Sequence, residues 1–184
     1  MIRRRIVKAA LAIAGAALLS GHSPYRQWYA YRGKHLIVVA SVADAEASRL
    51  ADALAARLAA ELPESHAVSA QAKSAREVVQ LLRSRQLPAA VLDMQTAGVA
   101  YAGRPPFERE GPLELRKLAE FERHLLVVLD DFPEDKAFAI AGAAAVLGQQ
   151  RLPEAPKANS QVSAIPLHPG ALAFRQAHES HTGR

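Results

Sequence analysis

The polar residues that could carry out chemistry in this sequence are few and far apart. Ser41, His124 and Asp93 are of the types that form a hydrolytic triad, in which a histidine activates a serine and a carboxylate orients the histidine. No nucleophile-elbow sequence surrounds any serine of the chain, and triples of this composition occur by chance in any domain. We therefore predict a protein that is not an enzyme and has no catalytic residue.

The candidate metal ligands are histidines and aspartates, because the chain contains no cysteine. His178 and His181, three residues apart, would share one face of a helix, with His168 nearby. They lie at a chain end with few carboxylates, which favours an ordinary polar terminus. Asp130 and Asp131 precede a predicted helix, where carboxylates typically cap the backbone and interact with the helix dipole. The sequence therefore predicts no metal and no cofactor.

Short apolar runs alternate with helical patterns along residues 35–150. The first run, His35–Ala40, is typical of a buried strand. A helix with leucines four residues apart, the last of them Leu62, follows Asp44 and is stopped by Pro63. Further strands are predicted at His66–Ala72, Leu87–Leu92, Leu113–Phe121 and His124–Leu129, and further helices begin near Ser74, Asp93 and Glu134. This alternation predicts an α/β fold with a Rossmann-like, mostly parallel sheet and helices on both faces.

Ligands of open α/β sheets bind outside the carboxyl ends of the strands. At that edge of the predicted sheet we expect four polar residues that follow the first and third strands: Ser41, Asp44, Asp93 and Gln95. Asp130, which follows the last predicted strand, is expected at the same edge. The first four are the predicted ligand-binding residues, for any small ligand that the domain binds.

The positive charge of the chain is concentrated at its N-terminus. Seven basic residues and no Asp or Glu lie in residues 1–34, which leaves a net charge of −2 on residues 35–184 once they are taken from +5. A nucleic-acid-binding surface needs its positive charge on the folded domain. We therefore predict that the protein does not bind nucleic acid.

The first 34 residues are typical of an export signal or a membrane anchor. A basic segment, residues 1–8, precedes an uncharged stretch, residues 9–25, that would span roughly 25 Å as a helix at ~1.5 Å per residue. That length could cross a ~30 Å bilayer core with local thinning. Gly21-His22-Ser23 has the small residues of a cleavage site, but Pro24 would follow the cut. We predict an uncleaved anchor in the inner membrane, with a cleaved signal as the alternative.

Two further features of the N-terminus agree with export. Arg3–Lys8 resembles the twin-arginine export pattern, and residues 25–34 interleave Trp28 and three tyrosines with basic side chains, a composition typical of the membrane interface. We therefore predict a periplasmic protein. Its predicted parts are residues 1–34 as signal or anchor, 35–150 as a single α/β domain, 151–165 as a linker and 166–184 as a C-terminal segment with a short helix.

Several segments, in this order, resemble the solute-binding subunits of TRAP transporters, specifically the TAXI branch of these type 2 periplasmic binding protein-like subunits. They are Leu36–Ala40 with its following helix, Leu92–Gly103, Leu115–Ala119 with His124–Val128, and Asp130–Lys136. Leu167–Ala171 (LHPGA) is the most specific match and resembles the family's C-terminal signature. Together the matches cover roughly residues 35–148 and 165–177.

The resemblance implies one lobe of a binding protein whose second lobe is missing. The family's first strand runs into a glycine-rich turn that approaches the ligand with its backbone, whereas Ser41–Ala45 contains no glycine. Aligned through Gly103–Phe107, Asp93 and Gln95 stand where the family usually has glutamine and aspartate. We therefore expect a non-catalytic accessory or docking module whose partner is another envelope protein. The alternative is a solute-binding component for a small organic acid or amino acid in transport, with a cleft completed by dimerisation.

Overall fold

The computed structural model describes residues 35–150 and 165–182. The predicted export segment, with its aromatic and basic residues, lies outside the described residues. So does the predicted linker, except for Ile165. No helix of the described residues is long and apolar enough to cross a membrane.

A five-stranded sheet forms the centre of the domain. Its strands are β1 (Ile37–Ser41), β2 (Val68–Ala72), β3 (Ala89–Asp93), β4 (Leu115–Phe121) and β5 (His124–Leu129), in the order β2-β1-β3-β5-β4. The pairs of β1 with β2 and with β3 are parallel, and β5 is antiparallel to both β3 and β4. Four strands therefore run in one direction and β5 runs in the other, which confirms a mostly parallel sheet.

Helices cover both faces of this sheet, as predicted. They are α1 (Ala45–Glu61), α2 (Ala75–Arg83), α3 (Met94–Ala102), α4 (Glu134–Gln150) and α5 (Pro169–Thr182), with a short 3-10 turn at Pro63–Ser65. One buried cluster joins the sheet to α1, α4 and α5, and a second joins the opposite face to α2 and α3. Every strand except β2 contributes to both clusters, so the sheet lies between two apolar layers.

Helix α1 shows how local sequence sets the element that follows β1. Asp44 has an extended backbone, and its Oδ1 accepts a hydrogen bond of 2.9 Å from the backbone N–H of Ala47. Leu50, Leu54 and Leu58 are each at most 3% exposed, and burying a leucine stabilises a fold by about 1.5–3 kcal/mol. The N-cap and the apolar stripe thus fix the start of α1 and the face that it packs on the sheet.

Two local expectations differ from the structure. The spacing of Ser74 and Glu77 predicts a capping box at the start of α2, and this box forms only in part. Ser74 Oγ accepts from the N–H of Glu77, but the Glu77 carboxylate accepts from the N–H of Lys73 and not of Ser74. The short helix predicted near the C-terminus is the 14-residue α5, which packs against α4. Just before α5, the chain makes two backbone hydrogen bonds to Lys117. The N–H of His168 donates to the carbonyl of Lys117, and the carbonyl of Pro166 accepts from the N–H of Lys117. The chain therefore pairs with the outer side of β4 before α5 begins.

Candidate functional site

The candidate site lies at the edge of the sheet where β1 and β3 end. Ser41 is the last residue of β1, and Asp93 is the last residue of β3. Because β5 is antiparallel to β3, with Asp93 opposite His124, β5 begins at this edge. We call this place the carboxyl edge, and its polar residues are Ser41, Asp44, Asp93 and Gln95, as predicted, together with His124.

Asp130 was expected at the carboxyl edge, and that expectation is wrong. It follows the C-terminus of β5, whose Val128 pairs with Ala89 at the start of β3. Asp130 therefore lies at the opposite edge of the sheet. The error came from assigning β5 the same direction as β1 and β3, which the pattern of alternating strands and helices favoured.

Asp44 and His124 form the central contact of the carboxyl edge. His124 Nε2 lies 2.9 Å from Asp44 Oδ2, while Oδ1 of the same carboxylate caps α1. The His124 side chain is only 9% exposed and the Asp44 side chain 32%. Burial by itself raises the pKa of Asp44, but the Ala47 N–H and the hydrogen bond and charge of His124 outweigh it. The pKa of Asp44 is therefore lowered, and its carboxylate is ionised at neutral pH.

The other predicted ligand-binding residues also serve the backbone. Ser41 is 3% exposed, and its Oγ accepts from the N–H of Ala43 at 3.2 Å. Asp93 Oδ1 accepts from the N–H of Thr96 at 2.9 Å and caps α3. Gln95, in the first turn of α3, is exposed. Of the four predicted residues, Gln95 is thus the one whose side chain is directed to solvent.

The polar residues of a hydrolytic triad are close in the fold but are not connected as one. His124 contacts Asp44 and not the carboxylate of Asp93, which instead caps α3. The hydroxyl of Ser41 accepts a backbone N–H in the β1–α1 turn. A nucleophile needs its hydroxyl bonded to a base that a carboxylate orients, and that sequence of contacts is not formed by these residues.

The depression beside His124 is small. Its cavity volume is about 60 Å³, and it is lined by Glu46, Leu50, Phe121, Glu122, Arg123 and His124. Pockets that bury small-molecule ligands usually measure roughly 300–1,000 Å³. This depression could hold a small group of a larger partner, such as one side chain, but it could not enclose an organic acid.

The turn between β1 and α1 exposes an apolar side chain. Val42 is 53% exposed, the highest value among the exposed large hydrophobic residues of the described chain. It lies directly after Ser41, at the carboxyl edge, and its N–H donates to the carbonyl of Ala72. The backbone of Val42 is therefore held in place, while its side chain is open to contact from outside.

Two of the histidines considered as metal ligands, His168 and His178, make other contacts. His168 is buried, its Nε2 is 2.9 Å from the carbonyl oxygen of Phe132, and its Nδ1 accepts from the N–H of Gly170. The ring of His178 stacks on Phe174 at a centroid distance of 5.8 Å. In residues 35–150 and 165–182 no group of three or more potential ligands is arranged to hold a metal ion.

The opposite edge of the sheet carries an open groove of about 330 Å³. Asp130 pairs there with Arg116, and Asp131 pairs with Arg85. Both carboxylates therefore bind arginine side chains, a contact that the sequence did not predict. Ion pairs this exposed contribute little to stability.

Comparison with known proteins adds no assignment. No protein-family model matches the sequence, and no curated protein matches it significantly.

Sequence reasoning identified the edge but missed its main contact. Asp44 and His124 are 80 residues apart, so no local spacing links them. The available signal was the apolar run that begins at His124, since a histidine at the start of a buried strand is held near an edge of the sheet. The direction of β5 was needed to say which edge.

Proposed function

We propose that this protein is an extracytoplasmic, non-catalytic docking module that binds another envelope protein through its carboxyl edge. In this proposal the domain corresponds to one lobe of a TAXI-type solute-binding subunit, held at the inner membrane by its N-terminal segment. The proposal rests on which side chains of that edge are already hydrogen-bonded and which are exposed. Ser41, Asp44 and Asp93 are bonded within the domain, while Val42 is exposed beside them.

A binding site for a small acid would need polar groups that are free to meet the ligand. Buried donors and acceptors that are already paired gain little by exchanging partners. The exposed surface of the edge instead offers one apolar side chain, a shallow depression and the amide of Gln95. Those features suit a protein surface, which can cover an apolar side chain and insert a single group beside His124.

The alternative is a solute-binding component whose cleft is completed by a second copy of the chain. The convergence of Asp44, Asp93, Gln95 and His124 at one edge favours it, because binding proteins recognise small ligands with a few convergent polar groups. Under this alternative a partner lobe would have to enclose the depression of about 60 Å³.

A thermal unfolding series with the full chain in detergent separates the two. The ligands are a panel of small carboxylates and amino acids, each tested at increasing concentration. A ligand at 100 times its Kd stabilises the protein by about 2.7 kcal/mol, which shifts the Tm by several degrees. We expect no shift. A shift with one compound that Gln95→Ala abolishes would replace the docking proposal by the solute-binding alternative.

Photo-crosslinking in cells tests docking directly. A benzophenone amino acid at Val42 should give an adduct with one envelope protein, while the same group at exposed Ala102, at the far end of α3, should not. Adducts of equal yield at both positions, or at neither, would contradict the docking proposal.

A further inference from the structure

The two outer edges of the sheet are protected very differently. On β4, the register shifts between Lys117 and Ala119, and the chain before α5 pairs with Lys117. Charged side chains also lie along β4, at Arg116, Lys117 and Glu120. A bulge, charges and a covering segment are the usual means by which proteins prevent an edge strand from pairing with another chain.

Among the described residues, the other edge, β2, has none of these features. Its sequence, Val68–Ala72 (VSAQA), contains no charged residue and no proline, and its register with β1 is continuous over all five residues. Within residues 35–150 and 165–182, no strand pairs with the outer side of β2. As far as the described part of the chain is concerned, the backbone of this strand is therefore available for a further ladder of hydrogen bonds.

The hydrogen bonds to β1 show which groups of β2 are available. Val68 donates to the carbonyl of Leu36, and Ala72 accepts from the N–H of Val42. In a parallel ladder alternate residues direct both backbone groups to the same neighbour. Ser69 and Gln71 therefore direct their N–H and C=O groups outward. The next outward N–H, that of Lys73, is accepted by Glu77, which closes this end of the edge.

These outward groups are arranged symmetrically about Ala70. If a second β2 approaches antiparallel with Ala70 opposite Ala70, Ser69 of each strand faces Gln71 of the other. Each Ser69–Gln71 pair exchanges two backbone hydrogen bonds. The two Ala70 residues form a non-hydrogen-bonded pair, because the backbone groups of Ala70 are directed inward to β1. The same register places Val68 opposite Ala72, so a large side chain meets a small one.

Helix α1 supplies a second layer at the same edge. Asp52 of α1 accepts a hydrogen bond of 2.5 Å from Ser69 Oγ, so this face of the helix lies over β2. Ala56 and Ala59 follow on that face at spacings of four and seven, and both are exposed. Small side chains there allow a symmetry-related α1 to pack beside this one when the strands pair.

We infer that β2 is a homodimer interface, in which two copies of this chain pair antiparallel about Ala70 to form one continuous ten-stranded sheet. The interface is closed and isologous, so it yields a dimer and not a filament. It leaves the carboxyl edge uncovered, and it is therefore independent of the proposed docking function.

Disulfide trapping tests the register, because the chain has no cysteine of its own. Across a non-hydrogen-bonded pair the two Ala70 Cα atoms would be ~4.5 Å apart, within the range that a disulfide bridges. In the same dimer the two Val68 Cα atoms would be roughly 13 Å apart, at ~3.3 Å per residue. Under mild oxidation of the full chain in membranes, Ala70→Cys should form a covalent dimer and Val68→Cys should not. Equal trapping of both variants, or trapping of neither, would overturn the inference.

A second measurement does not depend on a disulfide. Gln71→Pro removes an outward N–H without breaking a bond to β1, while Gln71→Thr keeps that N–H. By light scattering in detergent, wild type and Gln71→Thr should have twice the protein mass of Gln71→Pro. Circular dichroism of each variant confirms that it is folded. Two results would overturn the inference. One is a monomeric wild type, and the other is a folded Gln71→Pro protein that stays dimeric, which would happen if the N-terminal segment alone joined the chains.

Discussion

At the scale of single residues, Asp44 links three parts of the carboxyl edge. One carboxylate oxygen caps α1 and the other contacts His124 at the start of β5, so this side chain connects β1, α1 and β5. Replacing an N-cap aspartate by alanine costs about 0.5–2 kcal/mol, and Asp44→Ala also leaves His124 without this partner. We expect Asp44→Ala to lower the free energy of unfolding in urea by an amount toward the upper part of that range.

Asp44→Asn is the matched control, because asparagine is as good an N-cap as aspartate but carries no charge. It should lose clearly less stability than Asp44→Ala at pH 7. Equal losses in the two variants would show that the charge of Asp44, and not the cap, is the main contribution of this residue.

The lowered pKa of Asp44 also makes stability depend on pH in a defined direction. The unfolded chain, with an ordinary Asp pKa of about 3.9, binds a proton more readily than the folded chain. The contribution of Asp44 is therefore complete above that pKa and is lost as pH falls through the lower pKa of the folded state. In urea unfolding between pH 7 and pH 2, wild type should lose more stability on the acid side than Asp44→Asn. Glu110, whose pKa is lowered by Arg76, is present in both proteins. The Asp44→Asn variant therefore still loses part of its stability as the pH falls. Parallel curves for the two proteins would contradict this assignment.

At the scale of elements, the contact of α5 with the start of α4 depends on a residue without a side chain. A Cβ added at Gly170 would lie 2.2 Å from the carbonyl oxygen of Glu134 and 2.9 Å from the Cβ of Ala137. Gly170→Ala should therefore displace α5 and destabilise the domain by roughly 1–3 kcal/mol, as overpacking typically does.

Gly98→Ala in α3 is the control, since nothing lies within 4 Å of its added Cβ. It should be neutral or stabilise by up to about 1 kcal/mol. Thermal unfolding of both variants measures the sign of each stability change. Destabilisation of similar size in both would show that the close approach at Gly170 is unimportant.

Elements defined by neighbouring residues could be predicted from the sequence, and those defined by distant pairing could not. The leucine spacing and Pro63 set α1 within one residue of its observed end, because a helix is stabilised by contacts three and four residues apart. The direction of β5 depends on its pairing with β3, some thirty residues earlier, which no local pattern encodes. That single unknown placed Asp130 at the wrong edge and concealed the contact between His124 and Asp44. Four of the five edge residues, Ser41, Asp44, Asp93 and Gln95, were found because each follows or caps an element that its own sequence defines.

At the scale of the whole molecule, residues 1–34 are proposed to set the location of the protein, and the docking proposal requires the domain to face the envelope. If the N-terminal segment is an uncleaved anchor, the chain should stay with the inner membrane through salt and carbonate washes. Intact-mass measurement of that fraction should then give the full 19.8 kDa.

Protease added to spheroplasts should degrade the domain, because the basic residues 1–8 would hold the N-terminus on the cytoplasmic side. A shorter chain released with the periplasmic contents would identify a cleaved signal and leave docking intact. A full-length chain protected from protease until the cells are lysed would place the domain on the wrong side of the membrane for an envelope partner, and the docking proposal would fail with it.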